Sequence, residues 1–240
     1  MTQSETQWKS PLATLPGAVA LEDVEGDAAF GVTAHYGDPS GEQWALEAGR
    51  AITDRPDLAV VEVSGSDRLT WLTSISSQVL TGMAPGESRE LLIMNPQGHI
   101  EHACGAIDDG EILYLITEAS DAQALADWLN SMRFALRVEI TISQRWWLLG
   151  SIGDSGVSQC EQVALTWNDP WPGIVDGGAA YYQGKHPGES LAFHIHLVPR
   201  DQAREFWREW SEAAPKRRAA GIAAWEATRI AAWRPRLGHE

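Results

Sequence analysis

Through the middle of this chain apolar and polar positions alternate with a period of two, and two stretches of helical period interrupt the alternation. Over residues 59–64, Val61 and Val63 alternate with Glu62, which predicts a strand with one wet face. Ser66 and Asp67 then put a hydroxyl cap and an acid at the positive end of a helix dipole. Leu69, Leu72, Ile75 and Val79 recur at spacings of three and four as one buried stripe, and Gly82 with Pro85-Gly86 stops the helix. Residues 90–95 and 99–107 read as antiparallel strands joined by Pro96-Gln97-Gly98, and 111–117 follows a turn at Asp108-Asp109-Gly110. Ser120 with Gln123 makes a capping box ahead of Leu125, Trp128, Leu129 and Met132, so a second helix is expected there. Alternation resumes over 136–142. Residues 59–142 are thus predicted to form a compact α+β unit.

The flanks have a different texture. Residues 1–27 mix Ser, Thr, Gln, Pro, Gly and acids without a sustained period, which predicts a flexible N-terminal lead-in. A short helix is expected over 44–52. Residues 145–150, 162–166 and 192–198 are strand-like and separated by Gly, Asp and Pro loops, while 201–211 and 219–233 have helical spacing. The first of these helices buries Phe206, Trp207 and Trp210.

At 240 residues the chain is long enough for one or two cores, and its 33 acidic against 18 basic residues give a formal charge of -15. That charge repels phosphate backbones and anionic membranes, so broad nucleic-acid or membrane binding is not expected. Lys216, Arg217 and Arg218 are the one basic cluster, which reads as a solvated linker. Cys104 and Cys160 sit in unrelated contexts with no C-x-x-C spacing, which points to a reducing, cytoplasmic setting. The N-terminus has no signal-peptide pattern and no apolar run approaches a membrane span.

Among candidate chemical groups, His194 and His196 would project from one face of a strand opposite Phe193, Ile195 and Leu197. They could ligate a metal or simply face solvent, and no third ligand of suitable spacing is near. The 12 tryptophans are read first as packing, at helix and strand positions (Trp71, Trp128, Trp207, Trp210, Trp225) or in loops (Trp167, Trp171). Glu226 and Arg229, three apart on the last predicted helix, share a face with Ile222 and Trp233 and would ordinarily form an exposed ion pair. Gly98 suits either a hairpin or close ligand approach. No P-loop, nucleophile-elbow or zincin motif is present.

The order of elements over 60–107 resembles the YgfZ/GcvT folate-binding family. That family has a strand, a "V-x-G-x-D-R-x-x-(F/W)-L" turn and helix, a T-T/N-(D/Q) step, and a strand ending in "N-x-x-G". Here the pieces are residues 61–67, 68–72, Ser76 to Gln78, and Asn95 to Gly98. A second match, GIAAWEATRIAAWRPRLG over 221–238, is similar to the family's "E-x-x-R-(I/L)-x-x-G-x-P-x-x-G" helix. The resemblance implies an α+β, T-protein-like folate-binding fold with mixed, mainly antiparallel sheets and flanking helices. It also implies a discontinuous first domain (28–58 plus 143–240) with a second domain (59–142) inserted.

The resemblance further implies tetrahydrofolate or a folate derivative as cofactor, with Asn95, Gly98, His102, Glu226 and Arg229 as its contacts. A carboxylate accepts from pterin N–H groups, and an Arg fork suits the carboxylates of a glutamate tail. Catalytic aminomethyltransferases carry "G-G-(I/V)-x-D-D" after the turn, whereas this chain has Gly98-His99-Ile100-Glu101-His102-Ala103, with His102 and Ala103 in the paired Asp positions. His102 would either contact the ligand or be a satisfied core histidine. The chain reaches Glu240 without the "K-G-C-Y-x-G-Q-E" signature of YgfZ-type proteins, and without the C-terminal barrel domain that follows it. It is therefore expected to be either part of a longer reading frame or a short form. The implied function is that of a tetrahydrofolate-binding YgfZ-like accessory protein in iron–sulfur cluster assembly or repair or tRNA modification, with iron–sulfur proteins as partners. The alternative is a folate-dependent aminomethyltransferase-type one-carbon transferase.

Overall fold

A computed structural model of the protein describes residues 8–21, 31–173, 182–186 and 188–238. In chain order its elements are β1 (Val19–Ala20), β2 (Thr33–His35), α1 (Pro39–Glu47), β3 (Ala51–Asp54), β4 (Leu58–Ser64), α2 (Arg68–Ile75), β5 (Ser88–Met94), β6 (Ile100–Asp108) and β7 (Ile112–Glu118). They continue with α3 (Ala122–Met132), β8 (Glu139–Ser143), β9 (Trp146–Ile152), β10 (Leu165–Asn168), β11 (Phe193–Pro199), α4 (Ala203–Glu212), β12 (Arg218–Ala220) and α5 (Ile222–Ala231). The strands between residues 58 and 143 form an antiparallel sheet in the order β5-β6-β7-β4-β8. The flanking strands form a second sheet, β10-β11-β9-β3-β12, in which only β12 runs parallel to its neighbour.

Strand alternation divides the core into layers. On the β5–β8 sheet, Val61, Val63, Leu91, Ile93, Leu113 and Leu115 face α2 and α3 and pack on Trp71, Leu72, Leu125 and Leu129. The opposite face, with Val60, Ile107, Tyr114 and Ile116, packs against Trp146, Leu148, Ile195 and Leu197 of the other sheet and against α1 and α5. Beyond that second sheet, Trp147, Leu149 and Val198 pack on Phe206 and Trp210 of α4. Each such apolar side chain contributes about 1.5–3 kcal/mol on burial.

Several local expectations are corrected. The lead-in is seated over residues 8–21: Leu12 is fully buried beneath α4, and the Trp8 ring lies 6.3 Å from that of Trp147. The remaining lead-in residues, 1–7 and 22–27, lie outside the described ones. The helix expected over 44–52 starts earlier, where Asp38 accepts from the Gly41 amide and Pro39 fits the first turn; residues 51 and 52 belong to β3. The helix expected over 219–233 is divided into β12 and α5, because Gly221 passes so close to Ala34 that a Cβ would meet its carbonyl oxygen at 2.1 Å. Val79 lies beyond α2 and is 67% exposed, Leu80 being buried instead. The Ser120–Gln123 box does not form: Asp121 is the N-cap and Gln123 donates to Asp127. Glu62 is not solvated but accepts from the Trp146 indole at 2.8 Å, and Trp167 is a buried strand residue rather than a loop one.

Candidate functional site

Residues that follow α5 turn back across one end of both sheets and build a charged junction there. The Arg236 guanidinium donates to Glu118 at the end of β7 (2.6 and 2.7 Å), to Asp57 before β4 (2.6 Å) and to Glu226 on α5 (3.1 Å). Arg234 donates to Glu90 of β5 (2.6 Å) and to Asp169 after β10 (2.7 Å), so one side chain bridges the two sheets. Its guanidinium carbon lies 5.3 Å from the Trp171 ring centroid, in cation–π range. Arg229 donates to Glu226 at 2.8 Å and to the Arg234 carbonyl, while Arg55 forks onto Asp57.

Burial changes what this pair means. The Arg229 side chain is 7% exposed and that of Glu226 23%, so the exposed ion pair expected from spacing is a sheltered one that Arg236 extends into a network. Burial opposes the Arg236 charge, but Glu118, Asp57 and Glu226 outweigh it and raise its pKa. The Asp57 carboxyl is likewise desolvated, yet Arg55 and Arg236 hold it below the usual range. Trp233, expected on the same helix face, is past the end of α5 and 77% exposed.

Asn95, Gly98 and His102 are elsewhere. Asn95 Oδ1 accepts from the amides of Gln97 and His99 at 3.0 Å each, and Gly98 takes φ +84°, the left-handed conformation that closes the hairpin. The hairpin borders a cleft of about 410 Å³ that it shares with Ser74 in the last turn of α2, Ser76 just after it, and Trp128 and Met132 of α3. His102, 7% exposed, sits on the same face of β6 as Cys104, with Nδ1 2.9 Å from both oxygens of Asp121. A carboxylate only accepts, so Nδ1 carries the hydrogen. The Trp128 ring is 6.2 Å away. The sheet therefore separates two groups: Glu226 and Arg229 come together on its inner side, and Asn95, Gly98 and His102 lie toward α2 and α3. Ala103, next to His102, takes the inner side by alternation.

The histidine pair on β11 is accounted for by hydroxyls and an amide. His196, 1% exposed, has Nε2 2.8 Å from Ser151 Oγ and Nδ1 2.9 Å from Thr166 Oγ1. Burial, reinforced by His194, pushes it down to about 3. His194 Nδ1 lies 2.7 Å from Asn168 Oδ1. Among the described residues no group of three or more His, Cys, Asp or Glu is arranged to hold a metal ion, and no helix is long and apolar enough to cross a membrane. Burial also pushes the Cys104 thiol up to about 12, which keeps it protonated.

Sequence spacing brought out Glu226 and Arg229 but missed Arg234, Arg236 and the other carboxylates they hold, Asp57, Glu90, Glu118 and Asp169. Arg236 and Asp57 are 179 residues apart, so no periodic signal links them. The one available hint was the Arg-Pro-Arg step after the helix.

No family model and no curated protein matches the sequence. The structure is similar to that of the glycine cleavage system aminomethyltransferase T from Bartonella henselae, with a TM-score of 0.65 and 18% sequence identity. The likeness covers 89% of this chain and 58% of that one, so the chain spans less than two thirds of its neighbour's length. This shows the fold: a mixed, mainly antiparallel α+β architecture like that of the T-protein.

Proposed function

We propose that the chain binds a reduced folate at the junction between the sheets and serves, like YgfZ-type proteins, as an accessory factor in iron–sulfur cluster assembly or repair or in tRNA modification. The observation that carries this reading is the sheltered Glu226–Arg229 pair, with Arg236 beside it, in a chain of T-protein-like fold. The donor set suits the ligand. A carboxylate can accept from the N–H groups of a pterin, and the guanidinium forks can hold the carboxylates of a glutamate tail. The buried indole N–H of Trp171, close to Arg234, has no hydrogen-bond partner among the described residues and offers one more donor. Glu226, Arg229, Arg236 and Trp171 would hold the folate, whose own chemistry is to carry a one-carbon unit. Because Glu226 already holds two arginines, binding exchanges ion pairs within the junction, and Asn95, Gly98 and His102 take no part.

Ala103 favours binding over transfer, since the inner face of β6 offers a methyl group where an acid would be needed. Residues 28–58 with 143–240 form one unit in this proposal and 59–142 the other, with the site at their seam. The cytoplasm and iron–sulfur clients are the corresponding setting and partners, and the charge of -15 favours protein or small-molecule clients over nucleic acid. The aminomethyltransferase reading draws on the same fold likeness.

A thermal-shift series with 5-formyl-tetrahydrofolate tests the proposal. A ligand that binds only the folded chain stabilises it by about 2.7 kcal/mol at one hundred times its dissociation constant, so the melting temperature should climb with concentration. A flat profile up to millimolar ligand would remove the proposal. Methylene-tetrahydrofolate formation in a reconstituted glycine-cleavage assay, at a rate near that of a T-protein, would put the transferase reading first.

A further inference from the structure

At the C-terminal end of α1, three separate segments meet around a polar cleft of about 340 Å³: the α1–β3 turn, the loop after β9, and the loop between α4 and β12. Arg50 comes from the first, Ser155 and Gly156 from the second, and Arg217 from the third. Arg217 is fixed in place. Its guanidinium donates to the carbonyls of Trp210 (2.8 Å) and Ser155 (3.2 Å) and lies 4.9 Å from the Trp210 ring centroid. Gly156 makes this seating achievable, because a Cβ there would stand 2.6 Å from the guanidinium and the residue takes φ +68°.

The Arg50 backbone is pinned by bonds to Ala45 and Arg218, while its exposed side chain has no described hydrogen bond or ion pair. Lys216, beside Arg217, is exposed and held at φ +66°, a conformation uncommon outside glycine. The carboxylate on the cleft is Asp154, which already accepts from the Gly156 amide at 3.3 Å. Arg50 and Arg217 outnumber the single carboxylate on this concave surface of a chain with charge -15, and a concavity of net positive charge focuses its field on an anion.

We infer that this cleft, lined by Arg50 and Arg217 and with Lys216 next to its rim residues Pro215 and Arg217 in the chain, is a binding site for a small phosphate dianion, free or as a monoester. A tetrahedral dianion can accept from several guanidinium and ammonium donors at once, which a monocarboxylate cannot match. The site is independent of the folate reading, being built from other residues.

The test is isothermal titration of the whole chain with inorganic phosphate, glycerol 2-phosphate and acetate at ionic strength held constant with sodium chloride. Phosphate or its monoester should bind at least about tenfold more tightly than acetate, and whichever of the two is preferred identifies the source. Arg50→Gln and Lys216→Gln should each weaken phosphate binding by about tenfold, the worth of a charge-assisted hydrogen bond. Both side chains are exposed, so the circular dichroism spectrum and unfolding midpoint should not change. Glu226→Gln should leave phosphate binding intact, which separates failure here from failure of the folate proposal. Equal binding of phosphate and acetate, or unchanged phosphate affinity in both basic-site variants, would overturn the inference.

Discussion

The two faces of the β5–β8 sheet, compared at the same end, carry polar groups in opposite arrangements. Toward α2 and α3, His102 and Asp121 form a closed pair beside Trp128, and the Asn95 turn spends its side-chain oxygen on its own backbone. Toward the other sheet, Arg234 and Arg236 reach carboxylates from five separate elements and loops, and no two-residue subset accounts for the charge balance. The first arrangement is local and self-satisfied. The second can re-form around a ligand, because a carboxylate and a guanidinium that trade partners remain paired. Residues adjacent in sequence, His102 and Ala103, belong to different faces, so a family-like motif read along the strand mixes groups that no single ligand can touch.

Removing the hub of the inner face should have the largest effect. Arg236→Met leaves Asp57, Glu118 and Glu226 without a cation they share, and loss of one partner from a buried ion network costs about 3–5 kcal/mol, read by urea denaturation. A cost below about 1 kcal/mol would mean that solvent, not Arg236, balances those acids. Next in size is Glu226→Gln, which keeps the shape but removes the charge. It should lower folate affinity by roughly ten- to a hundredfold, or about 1.5–3 kcal/mol.

Asp54, buried at the end of β3 and with its indole partner Trp147 outside the junction, supplies a contrast in pH. Burial pushes it up to about 6 from 3.8, so between those values the folded chain holds a proton that the unfolded chain has lost. Its stabilising contribution is complete below 3.8 and is lost as pH rises through about 6. Asp54→Asn should therefore flatten the decline in stability between about pH 4 and 6 by about 1–3 kcal/mol relative to the parent chain, measured by denaturation at each pH. His196 works in the other direction: between about pH 3 and 6.5 the unfolded chain binds a proton that the buried imidazole of the folded chain does not, so its stabilising contribution is lost as pH falls from 6.5 toward 3, equally in both proteins of that comparison. The smallest effect belongs to the outer face: His102→Asn should cost about 1 kcal/mol of stability and leave folate affinity within about twofold.

Much of the fold is legible from periodicity because alternation and helical spacing report burial directly. The β5–β6–β7 meander, α3 and the Phe206–Trp210 face of α4 fall where the pattern puts them. The failures have specific causes. Trp44 drew the first helix toward itself although it is 71% exposed, and the cap at Asp38-Pro39 carried the better signal. The alanine-rich run before α5 has high helix propensity, yet its first residues pair with β3 because Gly221 must approach Ala34. Leu12 was hidden in a segment without a period and is held by tertiary packing alone. The junction was half visible: one helical turn links Glu226 to Arg229, while Asp57, Glu90, Glu118 and Asp169 join only through the fold.

Isothermal titration of 5-formyl-tetrahydrofolate into the parent chain, Glu226→Gln and His102→Asn tests the central claim most directly. Saturable binding by the parent and by His102→Asn, with affinity lost in Glu226→Gln, is the predicted result. Absence of heat from the parent at millimolar ligand, or a loss confined to His102→Asn, would contradict it.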